Sequence, residues 1–312
     1  MKRITAFAPA TIANFNVGFD LLGLALQGIG DEVSMTFNGT DSNRIVKLIN
    51  GDNLPMEADK NCCSVVVRAM QEQLGRYQGV DIEIKKGFAS GSGLGSSSAS
   101  SAAAAVAYNA LLEYPFSKED LVDFAAQGES AACGSPHVDN VAPSIIGGIV
   151  MAVAQEKNRF VSLPMLDNMY AILLYPQISV KTSDSRSILK KSIEVKTASE
   201  QIGFMGLFVS SLYMNDAQLF KTAMHDVIIE PMRSMLIPKF EDMKKAALDS
   251  GALAFGISGS GPSVFAISQG EDQARKTKDA LEKIYQQTDI DFTIYLSPIN
   301  TNSGATIISN EL

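Results

Sequence analysis

Ahead of a run of alanines, the chain sets glycine and serine in close alternation: Ala89-Ser90-Gly91-Ser92-Gly93-Leu94-Gly95-Ser96-Ser97-Ser98-Ala99 leads into residues 100–106. Glycines let the backbone turn so that several N–H groups face one point. Alanine is the best helix former, so the serine run should open a helix whose first turn adds unpaired amides and the positive end of its dipole. Together these make a cradle for an anion, most naturally the phosphates of a nucleotide. The hydroxyls of Ser96, Ser97 and Ser98 are placed to bond phosphate oxygens or to ligate Mg²⁺. A flexible Gly/Ser linker is the competing reading, but linkers seldom run straight into a strong helix. The segment is not the common P-loop, because no Lys followed by Ser or Thr stands at the required offset, and its glycine spacing misses the dinucleotide fingerprint. Amides and metal, rather than a loop lysine, would have to neutralise the phosphates.

Arginine is suited to hold a carboxylate, since its planar fork makes two parallel hydrogen bonds. Arg186 and Arg233 fit that task, yet taken alone either reads as a surface residue paired with Asp184 or Glu230. His137 follows Pro136 and reads by itself as a turn histidine. Asp20 reads as a turn residue, Glu129 as a solvated carboxylate after Gly128, and Tyr77 and Cys133 as packing.

The elements that must position these groups show in the periodicity. Val33, Met35 and Phe37 alternate with polar neighbours as in a strand, and Val80, Ile82 and Ile84 repeat the pattern after a helix expected over residues 61–74. Ser117 is a candidate N-cap for a helix that should fade near Gly128. Residues 145–153 read as a buried strand with a bulge at Gly147-Gly148, followed by a polar hairpin turn over 155–159. Residues 170–175 form a further strand. Helices are expected over 200–213, 216–225 and 238–250, with Pro238 at a first helical position and Gly251 as a cap. Strands over 252–255 and 264–268, a helix over 271–286 and a last strand over 292–296 complete the chain. The mixed order suggests two α+β halves meeting near residues 155–170.

Composition excludes several classes. The chain has 312 residues, 34 acidic against 26 basic side chains and a net charge of −8, which argues against a general nucleic-acid binder. Cys62, Cys63 and Cys133 are odd in number, and adjacent cysteines suit no disulfide framework, so a reduced, intracellular protein is expected. No C-x-x-C or H-E-x-x-H spacing points to zinc. Met1-Lys2-Arg3 and the apolar residues after it imitate a secretory leader, but Pro9, Asn14 and Asn16 interrupt it. The longest apolar run, residues 145–154, is about half of what a membrane span needs.

The glycine–serine loop resembles the ATP loop of the GHMP kinases, the superfamily of galactokinase, homoserine kinase, mevalonate kinase and phosphomevalonate kinase. Two further segments resemble that superfamily's remaining motifs. They are Ala8-Pro9-Ala10-Thr11-Ile12-Ala13-Asn14 with Gly18-Phe19-Asp20, and Gly256-Ile257-Ser258-Gly259-Ser260-Gly261-Pro262-Ser263. One departure is Ala89, which stands where the family's loop usually has proline. Residues 137–143, Thr182 with Arg186, and Glu230-Pro231-Met232-Arg233 are similar to the signature segments of the homoserine kinases.

The resemblance implies a two-domain α+β fold. Residues 1–160 would form a half like domain 2 of ribosomal protein S5, and residues 161–312 a ferredoxin-like half. It implies phosphoryl transfer from ATP to the side-chain hydroxyl of L-homoserine in threonine biosynthesis. Carried over by position, residues 89–99 hold ATP, and Ser97 and Glu129 ligate Mg²⁺. Arg186 and Arg233 hold the substrate carboxylate. Asn14, Asp20, His137 and Asp139 meet the amino group and hydroxyl end, with Thr182 and Gly259 also at the substrate. Asp139, Asn140 and Arg186 are the candidate catalytic residues. Mevalonate kinases and galactokinases place an aspartate where this chain has Asn140, and an amide cannot act as a base. A cytoplasmic homodimer, without nucleic-acid or membrane partners, completes what the resemblance implies.

Overall fold

A computed structural model describes residues 2–51, 54–153, 160–180, 182–299 and 304–311. The first elements are β1 (Arg3–Ala13), β2 (Leu22–Phe37), β3 (Arg44–Ile49), α1 (Cys62–Leu74) and β4 (Val80–Lys85). Next come α2 (Ser96–Leu111), α3 (Lys118–Cys133), α4 (Val138–Ile146), β5 (Ile149–Ala152) and β6 (Phe160–Leu163). They are followed by β7 (Met169–Pro176), α5 (Thr182–Ser187), α6 (Val195–Met214), α7 (Ala217–Ala223), α8 (Glu230–Arg233) and α9 (Phe240–Asp249). The last are β8 (Ala254–Ile257), β9 (Val264–Gln269), α10 (Glu271–Tyr285), β10 (Phe292–Pro298) and β11 (Thr306–Glu311).

Two sheets carry the chain. The first runs β11-β1-β2-β4-β3, with β5 and β6 continuing from the start of β2. The second runs β10-β7-β9-β8, entirely antiparallel. Numbered within the second half, that order is 4-1-3-2 with a helix in each crossover, which is the ferredoxin-like arrangement. The strand β11 leaves the second half and pairs with β1, so the first sheet draws on both ends of the chain. Among the described residues, no helix is long and apolar enough to cross a membrane.

Most of α2 is buried, and it packs against α1, α3, α4, β1 and β2. Its serines and alanines make this possible, because small side chains let several elements, β11 among them, approach one helix. α3 starts with a capping box, Ser117 and Asp120 each accepting from the other's backbone N–H. It does not fade at Gly128 but runs to Cys133 and closes on left-handed Gly134. Gly128 is there for close approach instead: a Cβ would stand 2.5 Å from Val66 Cγ2 and 2.8 Å from the Cys62 carbonyl.

Several expectations are corrected. Residues 145 and 146 end α4, and the strand starts only at Ile149, because an apolar run buried on every side carries no period that separates helix from strand. The expected hairpin turn over 155–159 lies outside the described residues. α9 begins at Phe240, two residues beyond Pro238, and Gly251 follows its cap, Ser250. The leader-like start is β1, buried between β2 and β11. Periodicity had not disclosed β1, β3, β6 or β11. Tyr77 is exposed rather than packed.

Candidate active site

Three of the loop glycines have positive φ, at 75° (Gly91), 81° (Gly93) and 69° (Gly95). A Cβ on Gly95 would sit 2.4 Å from Thr11 Oγ1 and 2.7 Å from Asn140 Oδ1, and one on Gly93 would sit 2.7 Å from the Gly261 carbonyl. The loop is thus pressed between β1, α4 and the glycine-rich turn after β8. Across these seams the Thr11 amide donates to the Leu94 carbonyl (3.0 Å), and Ser258 Oγ donates to that of Gly93 (2.8 Å). Gly95→Ala is expected to raise the KM for ATP about tenfold with a smaller change for the acceptor, because the methyl must displace both neighbours from a backbone that disfavours it. Unaltered ATP kinetics would sever the loop from nucleotide binding.

Beneath the loop lies a group that motif reading missed. Lys86, 3% exposed and one residue past the end of β4, is paired with fully buried Asp31. Its ammonium also donates to the Ser96 carbonyl (2.8 Å) and Ser100 Oγ (3.0 Å), while Ser100 Oγ donates to Asp31 (2.6 Å). The lysine absent from the loop sequence therefore arrives from the preceding strand and fixes the first turn of α2. Only the tertiary contact marks it.

The loop opens onto a cavity of about 350 Å³. Ser90, Gly91, Gly93, Gly95, Ser96 and Ser97 line it; Ala89, Ser92, Leu94, Ser98 and Ala99 build the loop without lining it. Asn14, Asp20, Glu129, His137, Asp139, Asn140, Arg186, Arg233 and Gly259 line the same cavity, although they come from distant parts of the chain. Thr182 lies in α5, but its side chain falls outside the described residues. Cys133, expected to be packing, is exposed and lines the cavity, its Sγ 3.4 Å from Ser97 Oγ. Although the residue as a whole is exposed, its sulfur faces Ser97, and partial desolvation there, followed by the charge of Glu129, pushes the thiol up to about 11.

Asn14, Phe15, Asn16 and Asp20 all have positive φ, an unusual cluster for residues with side chains. It is held by Asn14, whose Oδ1 accepts from the Asp20 amide (3.1 Å) and whose Nδ2 donates to the Gly259 carbonyl (2.9 Å). Asp20 accepts two bonds from Arg186, at 3.1 and 3.0 Å. Arg233, 3% exposed, donates to the carbonyls of Ser185 (3.2 Å) and Gly259 (3.0 Å). Among the described residues no carboxylate pairs with it. The local partners suggested by sequence are replaced: Arg186 takes Asp20, and Glu230 takes Lys244. Burial, and then the charge of Arg186, hold the Arg233 guanidinium below its usual range.

At the N-terminus of α4, His137 Nε2 lies 3.0 Å from Ser135 Oγ. Asn140 Oδ1 accepts from Thr11 Oγ1 (2.7 Å), which turns its amide toward Asp139 Oδ1 (3.5 Å). Asp139, 4% exposed, has its carboxyl pushed up to about 7, by burial first and then by the charges of Asp20 and Glu129. Glu129, 3% exposed, keeps Oε2 without a hydrogen-bond partner. Among the described residues, no three His, Cys, Asp or Glu side chains group closely enough to hold a metal ion by themselves. An orphaned buried carboxylate oxygen, with the Ser97 hydroxyl on the same wall, nevertheless fits Mg²⁺, which takes one or two protein oxygens and fills its shell with phosphates and water.

Comparison with known proteins decides the kinship. Residues 61–148 match the family model described as the GHMP kinases N terminal domain, and residues 208–287 match GHMP kinases C terminal. A homoserine kinase of Chlorobium phaeobacteroides is 40% identical over 99% of this chain and 100% of its own length. One from Xanthomonas campestris is 35% identical over 96% of this chain and 93% of its own. The chain belongs to the homoserine kinase family of the GHMP kinases. A crystal structure of the homoserine kinase of Cytophaga hutchinsonii superposes with a TM-score of 0.95 at 43% identity, covering 98% of this chain and 97% of that one. The fold is shared more widely, since mevalonate kinase of L. major superposes with a TM-score of 0.69 at 15% identity, covering 95% of this chain and 96% of that one.

Proposed function

We propose that the chain is a homoserine kinase, transferring the γ-phosphoryl group of ATP to the side-chain hydroxyl of L-homoserine and yielding O-phospho-L-homoserine and ADP in threonine biosynthesis. One observation carries the reading: a single cavity joins a glycine-rich helix N-terminus, suited to phosphates, to Arg233, Arg186 and Asp20, suited to the two charges of an amino acid. Residues 1–160 would form the nucleotide half and 161–312 the half that brings the arginines. Kinship with the family supports a cytoplasmic homodimer, and the mass in solution tests the dimer.

Phosphoryl transfer leaves the protein mainly to position and to stabilise charge. The amides of residues 91–97 hold the phosphates, and the turn of Ser258 to Gly261 covers them. The forks of Arg186 and Arg233 take the substrate carboxylate, and Asp20 takes its ammonium. Asn14, His137, Asp139 and Gly259 surround the remaining polar atoms of the acceptor, and Thr182 lies on the helix that carries Arg186. The acceptor oxygen forms a bond to the γ-phosphorus as the bond to the β–γ bridging oxygen breaks, and ADP leaves. Mg²⁺, when bound through Glu129 and Ser97, supplies positive charge to the phosphates.

Asp139 is placed to take the hydroxyl proton, with Asn140 setting its orientation. In a loose transition state the proton leaves late, so Asp139→Asn should lower kcat about tenfold without abolishing it. Its raised pKa also predicts a stability effect. The folded protein binds this proton more tightly than the unfolded chain, so stability is fully present below about pH 4 and is lost as pH rises through 7. The ligand-free Asp139→Asn variant should therefore melt higher than wild type at about pH 8, with the gap narrowing by roughly 2 kcal/mol toward about pH 5.5. Wild-type turnover in the variant would remove Asp139 from the mechanism.

A coupled ADP-release assay over homoserine, mevalonate, galactose and shikimate tests the function. Preference for another alcohol would reassign the substrate, and no ADP release with any of the four would point to a ligand sensor that kept the fold.

A further inference from the structure

Phe19 has no part in the roles assigned so far, yet it stands at the centre of the acceptor end. Its ring centroid lies 5.7 Å from Arg186 Cζ and 5.2 Å from Arg233 Cζ. The two guanidiniums come from α5 and α8, whereas the ring comes from the strained turn after β1, next to Asp20. The charge of Arg186 acts against that of Arg233. Asp20 neutralises Arg186, but among the described residues Arg233 donates hydrogen bonds only to the neutral carbonyls of Ser185 and Gly259. An aromatic face attracts a cation through its quadrupole, and here it faces two.

Packing alone does not account for the ring. Phe19 walls the active cavity on one side and, on the other, a second cavity of about 290 Å³ whose lining includes Val17, Ile228 and Met232. Interiors are close-packed, so a side chain serving density alone would not be left between two voids. Its neighbour Asp20 has φ 57° and is tied to Asn14 and to Arg186, so the backbone that aims the ring is itself held in place.

We infer that Phe19 is a positioning residue, a plate that holds Arg186 and Arg233 at the spacing of one substrate carboxylate and thereby favours an amino-acid alcohol over a simple amino alcohol. This rests on the homoserine kinase reading and names the residue that sets its specificity.

The test compares L-homoserine with 3-aminopropan-1-ol, which lacks only the carboxylate, in wild type, Phe19→Leu, Phe19→Met and Phe19→Tyr. Both ring-less variants should raise the homoserine KM about tenfold, as expected for two ring–cation contacts, with kcat and the KM for ATP within about twofold. Their preference for homoserine over the amino alcohol should fall by the same factor, about tenfold, and Phe19→Tyr should restore it. Equal losses on both acceptors, or a Tyr variant as impaired as Leu, would overturn the role of the ring while leaving the kinase reading intact. If Phe19→Leu does not fold, Phe19→Met decides. A wild-type enzyme that phosphorylates the amino alcohol as well as homoserine overturns the inference. One that phosphorylates neither overturns the functional reading as well.

Discussion

Lys86→Met is expected to lower the thermal midpoint by about 10 °C, since removing one partner of a buried ion pair costs about 3–5 kcal/mol. The loss follows from what remains: Asp31, fully buried, keeps only the Ser100 hydroxyl and the Gly87 amide (3.1 Å). The variant should also raise the KM for ATP several-fold, because the Ser96 carbonyl at the head of α2 loses its donor and the first turn loosens. A neutral pair, Lys86→Gln with Asp31→Asn, should recover part of the midpoint, because no unpaired charge is then buried. Differential scanning calorimetry and ATP kinetics on the two variants check this. An unshifted midpoint would mean the pair is solvated rather than buried.

The second large effect belongs to Arg233. Arg233→Ala should raise the homoserine KM about 100-fold, the size of a lost charge-assisted fork of about 3 kcal/mol, while the KM for ATP stays within about threefold. Arg233→Lys should recover only a fraction, because an ammonium cannot reproduce two parallel bonds. The reason for the magnitude is burial. At 3% exposure and without a carboxylate partner among the described residues, Arg233 is already desolvated and needs little further cost to meet an anion. Arg186 is more exposed and engaged by Asp20, so its replacement should do less. Equal effects of Arg233→Ala on both substrates would count against a carboxylate role.

Local chemistry explains what could be read without coordinates. The glycine–serine loop is legible because its turn and its helix start are both properties of consecutive residues, and both stand where expected. The N-cap at Ser117 is legible for the same reason. Gly128 misled: glycine reads as a helix end in one dimension, whereas here it answers a steric demand from Val66 and the Cys62 carbonyl. The run around residues 145–153 misled because burial on all sides erases the period that tells a strand from a helix.

The motifs named the site residues, but the partners of those residues were out of reach. Arg186 meets Asp20, 166 residues away, and Thr11 orients Asn140 across 129. Lys86 gave no motif at all, because its importance lies in Asp31, 55 residues earlier, and in the helix turn above it. Phe19 stands in the Gly18-Phe19-Asp20 segment with no task legible there, because a ring face acquires one only when two cations are brought over it.

By itself the sequence determined the glycine-rich turn that opens α2, the order of the three motifs and the α+β character of the chain, since backbone freedom, helix propensity and side-chain alternation act over a few residues. Tertiary structure alone decided which charges pair, which carboxylate is driven toward neutrality and where the lysine beneath the first turn of α2 comes from. Those depend on distance and desolvation, and the chain acquires both only once the two sheets close around a single cavity.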